Sequence, residues 1–103
     1  MLLSLLLIVA QPVAEADSLN GVLTNCLFAT ARRAHGEAQS IAQFQVTLDG
    51  SCRPEESAAR RSIVAILKSR GRTAAVAERE VGETLRQGRA AVIQAYGYGM
   101  APE

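Results

Sequence analysis

Between residues 18 and 97 the apolar positions recur mainly at helical spacing. In the first segment Leu19, Val22, Leu23, Cys26, Leu27, Ala31 and Ala34 share one side, which predicts a helix over 18–35. Arg32, Arg33 and His35 crowd its far end, where cations suit the negative pole of the helix dipole, and Gly36 supplies the stop. Ser40-Ile41-Ala42-Gln43 fits a capping box and predicts a second helix beginning at Ile41. Phe44, Val46 and Leu48 alternate with polar neighbours, so a strand over 41–48 competes with that reading. Helix is preferred, because no other segment alternates convincingly and a lone strand has no partner.

Asp49-Gly50-Ser51-Cys52-Arg53-Pro54 interrupts the pattern, as a kink or as a short break between helices. Pro54 suits the first turn of a new helix, with Glu55 and Glu56 at its positive end. Ala59, Ile63, Ile66 and Leu67 then mark one side of the run ending at Gly71, with Glu56 and Arg60 spaced for an i,i+4 pair. Thr73 can cap the last helix. Along it Ala77, Val81, Leu85, Gly88, Val92 and Tyr96 form the cleanest stripe in the chain. Arg79 and Glu83 are spaced for a second i,i+4 pair, Arg72, Arg79 and Arg86 lie outward, and Gly97 stops the helix. The expected fold is all-α: a small helical hairpin plus a third packed helix, three to four helices in all, over residues 17–97. Residues 98–103 are expected to form a flexible tail.

The first sixteen residues stand apart. MLLSLLLIVA is apolar but for Ser4, and Ala14 and Ala16 give the small-x-small pattern of a signal-peptide cleavage site. We expect residues 1–16 to be a signal peptide, cut between Ala16 and Asp17. The usual basic start is missing, since the first basic side chain is Arg32. The apolar run is about half of the roughly 20 residues a membrane-spanning helix needs, and Pro12 is expected to break it. No membrane span is therefore expected after cleavage, and the location is periplasmic or secreted.

Cleavage leaves eleven basic against nine acidic residues, a net charge of +2. Such a balance gives no general attraction to nucleic acid. A chain this short buries only about 60% of its unfolded surface and needs a staple. Cys26 and Cys52 are expected to supply one disulfide, as an exported small chain would use them. One continuous helix over 19–48 would hold Cys26 about 33 Å from Leu48, too far for a bridge. A reversal near residue 39 places Cys26 and Cys52 opposite each other, equally far from it in sequence. Gly36 and the box at Ser40 put the reversal there independently. The last helix is then expected to lay Val81, Leu85 and Val92 across the hairpin.

Asn25-Cys26-Leu27-Phe28-Ala29, a helical hairpin, and then Cys52-Arg53-Pro54-Glu55 make a pattern over residues 19–70. It resembles small exported bacterial proteins of unknown function in which one cystine ties two helices. The resemblance implies a fold and an envelope location, and carries no activity.

Candidate chemistry is sparse. His35 is the only histidine and reads as a helix-end cap; no ligand set for a metal is visible. No serine, threonine or cysteine has a base at motif spacing. We therefore expect neither enzyme activity nor a cofactor. Arg60, Arg61, Lys68, Arg70 and Arg72 form the densest basic region, a candidate face for another envelope protein or an anionic surface. No aromatics for base stacking lie nearby. Tyr98, beyond the last helix, is a candidate docking residue. The expected function is that of a non-catalytic interaction protein; the alternative is an inhibitor of an envelope enzyme.

Overall fold

The computed structural model describes the backbone of residues 2–99 and the side chains of residues 13–99. Among the described residues four helices follow one another: α1 (Leu2–Gly36), α2 (Ile41–Asp49), α3 (Arg53–Ser69) and α4 (Ala74–Gly97). α1 and α3 pack side by side, and α4 lies against α1, α2 and α3. Cys26 and Cys52 are joined, with their Cα atoms 5.9 Å apart. The all-helical hairpin with its cystine is thus the fold of the chain.

Each boundary has a local cause. The Ser40 hydroxyl accepts from the Gln43 N–H while the Gln43 side chain accepts from the Ser40 N–H, completing the capping box. That box decides 41–49 in favour of helix. Phe44 and Leu48, four apart, are buried, whereas the intervening Val46 is 77% exposed, so the apparent alternation is one helical stripe. Thr73 caps α4 through the Val76 N–H. At the end of α3 the Gly71 N–H bonds the Lys68 carbonyl and the Arg72 N–H bonds the Leu67 carbonyl, with Gly71 left-handed at φ 98°. This is the Schellman ending that a glycine permits.

The structure departs from expectation at both ends of α1, and it decides the interruption at 50–52, which the sequence left open as a kink or a break. α1 runs unbroken from Leu2, through Pro12, instead of starting at 18. A proline removes its own N–H and crowds one carbonyl, but the leucine- and alanine-rich flanks favour helix on both sides. At the other end the left-handed residue is Ala38, at φ 55°, not Gly36. The Gln39 N–H bonds the Ala34 carbonyl and the Ala38 N–H bonds that of His35, so the same ending is built on an alanine, two residues later. Finally, the interruption at 50–52 is a true break. Cys52 is the N-cap residue of α3, left-handed at φ 62°, and Arg53 precedes Pro54 in the first turn. The expected flexible tail lies mostly outside the described residues: Tyr98 and Gly99 close α4, their N–H groups bonded to carbonyls of its last turn.

The core runs along the axis between the helices. Leu23, Leu27, Ala31 and Ala34 of α1 meet Phe44 and Leu48 of α2, Ala59 and Val64 of α3, and Ala77, Val81, Leu85 and Val92 of α4. The α4 stripe is buried across the hairpin as expected. Tyr96 stacks on Phe44, with ring centroids 4.1 Å apart, and its hydroxyl donates to the Gln39 carbonyl. One side chain thereby fastens α4 to both α2 and the α1–α2 turn.

Candidate functional site

The basic region divides into two sets. Arg60 of α3 pairs with Glu78 of α4 at 3.3 Å, and Arg72, in the turn between α3 and α4, pairs with Glu80 of α4 at 3.5 Å. Arg60 thus links α3 to α4, and Arg72 ties the turn to α4. Arg61, Lys68 and Arg70 are exposed and make no ion pair among the described residues. Arg61 and Lys68 are seven positions apart, two helical turns, and so share a face of α3. Arg70 follows at the helix end, its N–H bonded to the Ile66 and Leu67 carbonyls. Neither i,i+4 pair expected from the spacing forms. Glu56 turns away from Arg60, and Glu83 binds Arg86 and Gln87 instead of Arg79.

A polar knot, unanticipated from the sequence, sits at the α2–α3 corner. Arg89 of α4 donates from Nε to Glu56 at 2.6 Å, from Nη1 to the Leu48 carbonyl at 2.6 Å, and from Nη2 to the Ser51 carbonyl at 2.8 Å. Arg53 reaches the same carboxylate at 3.0 Å, and also the Asp49 carbonyl and carboxylate. The Arg89 and Glu56 side chains are only 12% and 11% exposed. Burial alone would push the Glu56 carboxyl up. The hydrogen bond from Arg89, the charges of Arg89 and Arg53 and the bond from Arg53 outweigh it, leaving Glu56 below the usual carboxylate range. Glu56 therefore does more than favour the helix dipole, which was its expected role. A signal for Arg89 was present: it lies four after Leu85 and three before Val92, a charge on an otherwise apolar stripe.

Between α1 and α4 an apolar cleft of about 340 Å³ opens, with Leu23, Leu27 and Phe28 on one wall and Leu85 and Val92 on the other. Gly88 lines it, and a Cβ there would meet nothing within 4 Å. A recess of about 230 Å³ beside Ile63 and Leu67 continues it, sharing Asn20, Thr84 and Leu85. The one titratable residue lining the larger cleft is Glu56, already bound by two arginines. His35 is exposed, its ring edge-on to that of Tyr96 with centroids 6.5 Å apart. Tyr98 is 81% exposed. Among the described residues no group of His, Cys, Asp and Glu is placed to hold a metal ion, and no helix is long and apolar enough to cross a membrane. The chain matches no family model, no curated protein and no solved structure.

Proposed function

We propose that this chain is the precursor of an exported, disulfide-stapled helical protein of a bacterial-type envelope, which acts by binding another protein and not by catalysis. The observation that carries the reading is the Cys26–Cys52 cystine beneath an apolar leader that ends in Ala14-Glu15-Ala16. Disulfides persist in oxidising compartments, and a domain this small gains most from one. Binding is favoured over chemistry by the way the polar groups are used. The carboxylate at the cleft is neutralised by Arg89 and Arg53, whereas Arg61, Lys68 and Arg70 stand exposed and make no ion pair among the described residues. Three unpaired cations on one helix and its cap suit an acidic patch of a partner protein.

The test is the intact mass of the protein recovered from the envelope or medium, with and without reduction and alkylation. The mass of residues 17–103 less two hydrogens, with alkylation only after reduction, supports the reading. A full-length mass with two freely alkylated thiols overturns it.

A further inference from the structure

The geometry points to a processing site that the finished fold closes: the Ala16–Asp17 bond can be cut only before α1 docks on α3. This inference rests on the export reading and concerns the order of events within it. A peptidase that selects small side chains at Ala14 and Ala16 must see both on the same side of the chain. That arrangement belongs to extended backbone, where alternate residues line one face. In a helix the same two side chains point about 200° apart. In the folded chain both residues are helical, inside α1. Ala14 is exposed, whereas Ala16 is 7% exposed. On either side of it Glu15 and Leu19 lie over Ala58, Arg61, Ser62 and Ala65 of α3. The Cys26–Cys52 bond pins α1 beside the start of α3, so the helix cannot swing away as a whole.

Cutting adds water across the Ala16–Asp17 amide, leaving a carboxylate on Ala16 and an ammonium group on Asp17. For the small pockets and the nucleophile to reach this bond, α1 must be unwound over residues 13–17 and lifted from α3. Processing therefore precedes docking. The mature helix then starts with Asp17 and Ser18, residue types that suit a helix N-terminus. Removal of Glu15 also takes away the acidic side chain that lines the recess with Arg61.

The experiment compares the oxidised, folded full chain with its Phe44→Asp variant, each in detergent micelles with a bacterial signal peptidase. Phe44 is fully buried, so a carboxylate there unfolds the bundle while leaving residues 1–25 unaltered. A peptide of residues 1–25 is the second substrate. We expect the variant and the peptide to be cut after Ala16, and the folded chain to be cut at least about tenfold more slowly, since it must first open locally. Equal rates for the folded chain and the variant would overturn the ordering and leave the export reading standing. No cut after Ala16 in either the variant or the peptide would overturn both.

Discussion

Replacing Arg89 by methionine isolates what the corner knot contributes. Methionine keeps much of the side-chain length but removes three donated hydrogen bonds: one to Glu56, one to the end of α2 at Leu48, and one to Ser51 in the break. Breaking one partner of a buried ion pair costs about 3–5 kcal/mol. Arg53 remains on Glu56 and softens the loss, so we expect about 3 kcal/mol. At 4–8 °C per kcal/mol for a domain of this size, the melting temperature falls by about 12–24 °C. Urea unfolding followed by helical circular dichroism at neutral pH measures it directly. A loss below about 1 kcal/mol would refute the reasoning, because it would place Arg89 in the class of exchangeable surface pairs. Pairing the change with Glu56→Leu separates the ion pair from the carbonyl bonds: the double variant should recover part of the loss, since no charge is left buried without a partner. The pH profile gives an independent check. Glu56 is held below its unfolded value of about 4.3, so its contribution is present above that pH and disappears as pH falls through the folded value. Removing Arg89 should flatten that acid-side decline.

Three further outcomes follow from single contacts. Ala38→Gly should raise stability by about 0.5–1 kcal/mol, because a left-handed alanine costs about 1–2 kcal/mol and glycine returns part of that as chain entropy; a drop in the urea midpoint would contradict it. Tyr96→Phe should cost about 1 kcal/mol through the lost bond to the Gln39 carbonyl, with the stack on Phe44 retained, measured by the same unfolding curve. Reversing Arg61, Lys68 and Arg70 together to glutamate should leave the melting temperature within a few degrees, since none makes an ion pair among the described residues, while abolishing capture of an acidic partner in crosslinking from intact cells. Retained capture would remove the basic side of α3 from consideration.

What could be read in advance was what neighbouring residues decide among themselves. The box at Ser40 is satisfied within four residues, and Thr73 and Gly71 act within one turn, so those boundaries were legible. The cysteine spacing carried the one long-range constraint, because a covalent bond fixes two points of the chain at once. Glu56 and Arg89 were not legible as a pair. They are 33 positions apart, and their meeting depends on how far α4 is rotated against α3, which no local rule sets. The i,i+4 partner suggested for Glu56 lost to such a contact, worth more when buried than the few tenths of a kcal/mol of an exposed helical pair, whereas Glu83 took a different exposed neighbour on its own helix, Arg86 at i+3. The basic region was legible as composition only: whether an arginine is held by a glutamate of α4, as Arg60 and Arg72 are, or makes no ion pair among the described residues, as with Arg61, is settled by what α4 presents to it.

The cystine has a consequence for survival among proteases. It encloses α2 and both of its flanking turns in a covalent ring that runs from Cys26 to Cys52. The exposed turn at Glu37 and Ala38 offers a protease backbone that lies outside the helices. A nick there opens the ring but releases nothing: the two pieces stay bonded, with the core of α1, α3 and α4 still facing one another. Such a molecule runs as one band without reductant and as two with it, and it outlives its first cut.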